Sequence, residues 1–324
     1  MSRRDIQDIF ERLVVPLWLR PERALWDAHA FAAVRSFLRP PHDFERPALD
    51  FGCLDGFPSF VMMGGSLSID TDEYADLVGG STAASTSGDY FAVHRPDVAS
   101  TVIQSPAQKF SVGVSWREEH LKKAARLSFY DELHLAELAD PLRQYPKSAF
   151  KTIWSPNLPW CPEPQLRAIL FDHVRLLAPF GRILTIVPDT RQLDAEIFAK
   201  FQFMPKRWLS EMDRGISSNL TRNARSDLEW RDFFSGVGLK VLRHERFLPQ
   251  IVGATYQIGF RPMFPALMEA YGQLRQHDTS QWREVKRHWI ETLVHFFEPL
   301  CDPMVGCNRD EKLLWHAYEL SHVE

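Results

Sequence analysis

The residues best placed for chemistry lie in one short stretch, ALDFGCLDG (48–56). Its apolar run ends in glycine and reads as a buried strand entering a turn that carries Asp50, Gly52, Leu54, Asp55 and Gly56. A glycine-rich turn lets the backbone approach a ligand closely, and an acidic residue at a strand end accepts a hydrogen bond from an amine or hydroxyl. The turn is not a dinucleotide fingerprint, because GxGxxG from Gly52 requires glycine where Leu54 and Phe57 stand. The chain also lacks a GxxxxGK[ST] phosphate loop, an HExxH zinc helix and a GxSxG nucleophile elbow. Its four cysteines, Cys53, Cys161, Cys301 and Cys307, are scattered without CxxC pairs or histidine partners at zinc spacing. No metal site is expected, and a reducing compartment, the cytoplasm, is the simplest reading.

These residues need elements to hold them. Ile6, Ile9, Phe10, Leu13 and Val14 recur at helical spacing, and a second helix spans 22–38 before Pro40-Pro41. From 110 a regular alternation begins. FSVGVS (110–115), ELHLAEL (132–138), FKTIWS (150–155) and RILTIVPD (182–189) read as strands, separated by helices over 116–127 and 165–178. A helix at LEWRDFFSGVG, a strand over 239–248, a late helix marked by Trp282, Val285, Trp289, Leu293, Phe296 and Phe297, and a closing strand over 312–320 follow. Such alternation predicts a doubly wound, mostly parallel sheet. Between 64 and 109, Gly, Ser, Thr and Asp dominate without a period. The stretch reads as a linker or, given Tyr74, Tyr90, Phe91 and His94, as an ordered lid. The 324 residues carry 38 basic and 42 acidic side chains for a formal charge of −4, which argues against a nucleic-acid partner. No run approaches the roughly 18–20 apolar residues of a membrane span, which leaves only peripheral membrane contact open. No apolar segment of a secretory signal follows MSRRDIQDIF.

The order ALDFGCLDG, FSVGVSWREEHLKKA, YDELHLAELADPL, FKTIWSPNLPW and LLAPFGRILTIVPD resembles the class I S-adenosylmethionine-dependent methyltransferases. It is most similar to a bacterial branch associated with polysaccharide and other glycan biosynthesis. The resemblance runs from about residue 47 to 261 and is strongest over 150–189. It implies an α/β fold with a Rossmann-like, seven-stranded, mostly parallel sheet, and S-adenosylmethionine as cofactor. The domain would span 47–324, carrying an insertion at about 63–109 and a helical addition at about 262–310, behind an N-terminal helical cap at 1–46. By the same resemblance Asp50, Gly52 and Gly56 match the acidic residue and the first and last glycines of the cofactor turn. Ser115, Glu137, Leu138 and Asn157 match positions that line the cofactor. The chain departs from the pattern in three places. Leu54 replaces the central glycine, Ser115 stands where a carboxylate usually meets the ribose, and SPNLPWCP lacks the family's usual histidine. If LSID (67–70) were the second strand, Asp70 would supply that carboxylate instead.

Methyl transfer to a hydroxyl needs an aligned acceptor and a base for its proton. Asp189, Asp213 beside Arg214, and His244 are the catalytic candidates, although Asp189 also reads as a helix cap and Asp213-Arg214 as a surface ion pair. His244 and His134 also read as packed strand residues. Trp160 and Trp208, among polar and proline neighbours, and Arg214 are candidates for contact with the acceptor. The expected activity is O-methylation of a saccharide, polysaccharide or lipid-linked glycan. A small-molecule methyltransferase and an inactive scaffold of the same fold are the alternatives. Oligomeric state is not legible.

Overall fold

The computed structural model describes residues 1–38, 43–71, 74, 101–136, 142–192, 222–260, 263–307 and 313–323. Two helices open the chain. In α1 (Arg3–Leu13) the buried residues Ile6, Ile9, Phe10 and Leu13 form one apolar stripe, and the Ser2 hydroxyl caps the Asp5 amide. In α2 (Pro21–Arg35) nearly every residue is buried, charged Glu22 and Asp27 included, so this helix lies inside the molecule.

Seven strands form the sheet: β1 (Ala48–Phe51), β4 (Phe110–Ser115), β5 (Tyr130–Leu135), β6 (Phe150–Ser155), β7 (Leu177–Pro188), β8 (Leu239–Pro249) and β9 (Leu313–His322). Their spatial order is β5-β4-β1-β6-β7-β9-β8. The first five run parallel, whereas β9 is antiparallel to both β7 and β8. The expected Rossmann-like, mostly parallel, seven-stranded sheet is what the chain forms. From β1 the chain first builds outward through β4 and β5, then returns to β6 on the other flank, which places the topological switch point between β1 and β6.

Alternation along each strand sends neighbouring residues to opposite faces. Leu49 and Phe51 join an apolar cluster with Leu166 and Leu170 of α5 (Glu163–Leu176) and Trp230 and Phe234 of α6 (Asp227–Ser235). Ala48, Trp154 and Leu184 face the other way, into a larger cluster with α1, α2 and α3 (Phe57–Met62). The same cluster takes in Val252 of α7 (Gln250–Ile258), Leu267 of α8 (Phe264–His277), and Ile290, Leu293 and Phe297 of α9 (Thr279–Phe297). Segments far apart in sequence meet there. Lys286 on α9 is fully buried, donates to the Thr71 carbonyl at 2.6 Å and lies 5.2 Å from the rings of both Trp18 and Trp282.

Most predicted elements are present. Trp116 precedes its helix, because α4 begins only at Glu118 (Glu118–Ala125). β7 starts at Leu177, directly after α5, so Pro179-Phe180-Gly181 lies within the strand. LSID is not a sheet strand. Its Leu67 joins the preceding Ser66 in β2 (Ser66–Leu67), which pairs antiparallel with β3 (Val102–Gln104) apart from the main sheet, while Asp70 pairs with Arg283. Tyr90, Phe91 and His94 lie outside the described residues.

Candidate functional site

The carboxyl ends of β1, β4 and β6 meet around the glycine turn. Gly52, Leu54 and Gly56 all adopt left-handed backbone angles, with φ of +84°, +52° and +81°. Leu54 thus keeps the conformation a glycine takes easily, at a cost of roughly 1 kcal/mol. The turn closes on its neighbour: the Gly52 and Cys53 amides both donate to the Val114 carbonyl of β4, at 2.9 and 2.8 Å. From the other flank the Asn157 side-chain amide donates to the Gly52 carbonyl at 2.6 Å, bridging the switch point. A side chain on Gly52 would put its Cβ 2.9 Å from Asn157 Nδ2 and 3.2 Å from the Trp116 ring, so glycine is required for space as well as conformation.

Asp50 lies beneath this turn and is fully buried. Its register partner on β4 is Gly113, which has no side chain, so the Tyr130 ring of β5 lies across it and its hydroxyl donates to Asp50 Oδ2 at 2.8 Å. Burial pushes the Asp50 carboxyl up to about 7, against the opposing effect of Ser59 and Tyr130. Oδ1 has no aligned partner, and neither do Nε1 of Trp154, the β6 register partner of Asp50, or Oγ of fully buried Ser115. Ser115 closes β4 beside the turn, as expected. Trp160 is half-buried against the cluster that holds α2. Glu137, Leu138, Trp208, Asp213 and Arg214 lie outside the described residues.

A second group of polar residues sits where β7, β9 and β8 run side by side. Asp189 ends the β7 segment. Its Oδ1 accepts from the Arg191 amide at 2.8 Å and from the Thr190 hydroxyl at 3.2 Å, and its Oδ2 lies 2.8 Å from His316 Nε2, approached obliquely. Oδ1 is therefore hydrogen-bonded, whereas Oδ2 makes a close but unaligned contact. His316 Nδ1 is 2.8 Å from His244 Nε2, and His244 Nδ1 is 3.7 Å from Asp227 Oδ1. Asp227 also accepts from Tyr318 at 2.7 Å and Arg231 at 2.9 Å. Asp189 is held low, at about 2, by His316, the Arg191 amide and nearby charge that together outweigh burial, while burial lowers His244 to about 4. The structure thus joins two of the candidate bases, Asp189 and His244, through a third residue. His316 was not singled out from sequence. Its signal was the pair His316 and Tyr318, two polar-capable residues at alternate positions, hence on one face, of the closing strand.

The two groups are not adjacent. Asp189 stands two strands from β1, about 10 Å at ~4.8 Å per strand, and His244 four strands away, about 19 Å. His244 is too far to touch an acceptor seated over the glycine turn. His134, on β5, packs edge-on against Tyr145. Among the described residues no group of His, Cys, Asp and Glu is arranged to hold a metal ion, and no helix is long and apolar enough to cross a membrane.

No protein-family model and no curated protein matches this chain. Solved structures do resemble it, all distantly. The [4+2]-cyclase SpnF is 13% identical, with 92% of this chain and 80% of that chain covered and a TM-score of 0.44. A geranyl diphosphate methyltransferase in complex with GPP and sinefungin is 12% identical over 91% and 77%, with a TM-score of 0.41. A SAM-dependent methyltransferase from Thiobacillus denitrificans, in complex with S-adenosyl-L-homocysteine, is 11% identical over 85% and 84%, with a TM-score of 0.40.

Proposed function

We propose that the chain is an S-adenosylmethionine-dependent O-methyltransferase whose cofactor lies over the turn 52–56. The observation that carries this reading is the turn itself: three alternate residues in left-handed conformation, at the switch point of a seven-stranded sheet, bridged by Asn157. Open α/β sheets bind ligands at that place. The donor set also fits. The unpartnered Ser115 hydroxyl suits one hydrogen bond to a ribose, and Asp50 offers the unpartnered Oδ1 below the turn. Bound there, S-adenosylmethionine supplies an electrophilic methyl group on a sulfonium. The chain's own residues set the geometry: Asn157 fixes the turn against β6, Tyr130 and Ser59 orient Asp50, and the apolar layer of α2 and α3 keeps water away.

The acceptor we favour is a hydroxyl of a saccharide, polysaccharide or lipid-linked glycan, as the sequence resemblance implies, with Trp160 and Trp208 as stacking partners. A compact small-molecule acceptor is the second reading, since acceptor choice rests with the segments added to the sheet rather than with the sheet itself. Incubation with methyl-labelled S-adenosylmethionine and separate glycan and small-molecule extracts tests both. Label entering one fraction, and lost with Gly52→Val, identifies the acceptor class. Label in neither fraction favours an inactive scaffold of the same fold.

A further inference from the structure

We propose that Asp189, His316 and His244 form one relay that takes up a single proton at His244 Nδ1, making the β8–α6 junction a proton-handling site separate from the glycine turn. The hydrogen positions follow from the contacts. Asp189 Oδ2 lies 2.8 Å from His316 Nε2, too oblique for an aligned hydrogen bond, but a bare nitrogen lone pair facing a carboxylate at that distance is repelled, so His316 carries its hydrogen on Nε2. That leaves His316 Nδ1 as an acceptor, which the Nε2 hydrogen of His244 fills at 2.8 Å. The remaining lone pair of the line is therefore at His244 Nδ1, facing Asp227 Oδ1 across 3.7 Å.

This is the logic of a carboxylate that fixes the tautomer of an imidazole so that its far nitrogen acts as a base, extended by one ring. A proton arriving at His244 Nδ1, given up by water or by a hydroxyl compound, becomes an N–H directed at Asp227. The positive charge rests on the His244 ring, facing Asp227 on one side and the accepting Nδ1 of His316 on the other. No other atom need change owner, and the donor keeps the electron pair.

The surroundings explain why the site is empty of a proton at neutral pH. Burial disfavours the charged ring, and His316 on β9, Arg231 on α6 and Arg246 on β8 oppose protonation, whereas Asp227 on α6 favours it. Tyr318 of β9 stacks on the His244 ring at 4.7 Å and donates to Asp227, holding both partners in place. Asp189 and Arg191 complete the charged groups on the β7 side. His316 is fully buried, while the side chains of His244 and Asp227 are 17% and 30% exposed, so the proton enters from the Asp227 end.

The test is nitrogen-15 NMR of the histidine rings in the full chain, without any ligand, across pH 8 to 2.5. The relay predicts both rings as Nε2–H tautomers at neutral pH, with proton uptake at His244 reported by shift changes of the His316 ring. In Asp189→Asn the side-chain amide donates to His316 instead and switches that ring to the Nδ1–H tautomer. Asp227→Asn lowers the His244 midpoint by about one pH unit, and His244→Gln, which keeps a donor to His316, removes the matching response at that ring. An Nδ1–H tautomer for wild-type His316, or His316 shifts that do not follow His244, overturns the proposal. None of these readouts depends on cofactor binding, so the relay and the methyltransferase reading stand or fall separately.

Discussion

The two ends of the sheet treat polar atoms in opposite ways. Around β1, on the face shared with α2 and α3, Asp50 Oδ1 and Trp154 Nε1 are buried without partners, and Ser115 Oγ is likewise unpartnered at the end of β4. At β7, β9 and β8, on the face shared with α6, carboxylates, imidazoles, a phenol and a guanidinium lie in one line of close contacts, hydrogen-bonded except at the oblique 2.8 Å Asp189–His316 approach and the 3.7 Å His244–Asp227 gap. A buried polar atom left unpaired costs about 1–3 kcal/mol, so a fold that carries several of them at one strand end is poised for a ligand that supplies the missing bonds. A self-paired chain has no such need, and what it exchanges is protons. Position agrees: the unpaired set borders the switch point, the paired set the sheet edge.

Breaking the first end has the largest expected effect. Gly52→Val places a branched side chain where φ is +84° and where Asn157 and Trp116 already lie within about van der Waals contact. We expect loss of S-adenosylhomocysteine affinity by 100-fold or more with calorimetry, with the relay tautomers unchanged.

Asp50→Asn separates charge from shape. Because burial raises the Asp50 carboxyl from 3.8 to about 7, its stabilising contribution is present below about pH 4 and lost as pH rises toward 7. The neutral variant should therefore gain stability over wild type on the order of 2–3 kcal/mol between pH 5 and pH 8, read from denaturant midpoints. A gain independent of pH contradicts the raised carboxyl.

The relay end has the opposite sign. His244 lies at about 4, below the usual 6.5, so the stability it contributes is complete above about pH 6.5 and lost as pH falls toward 4. His244→Gln should flatten that acid limb by about 1 kcal/mol, discounted for its partial exposure. The smallest effect is at the turn: Leu54→Gly relieves a left-handed leucine and should stabilise by about 0.5–1 kcal/mol, less the lost side-chain contacts.

Sequence made these two ends unequally visible. The glycine turn and every strand of the main sheet were legible, since apolar runs and glycine punctuation are local signals. Ser115 could be placed at a strand end for the same reason, because the apolar run FSVGVS stops there and a helical pattern begins shortly after. Tyr130 could not be assigned to Asp50, because the contact spans 80 residues and depends on the bare Gly113 between them. His316 escaped for a similar reason: its partners come from β7 and from β8, 127 and 72 positions away. Helix α7 was missed because its apolar residues pack against several elements at once and leave no clean stripe.

Isothermal calorimetry with S-adenosylhomocysteine tests the central claim most directly. We predict saturable binding of one ligand per chain that Gly52→Val abolishes and His244→Gln leaves intact. Absence of binding at millimolar ligand, or equal binding by Gly52→Val, would contradict a cofactor site at the glycine turn.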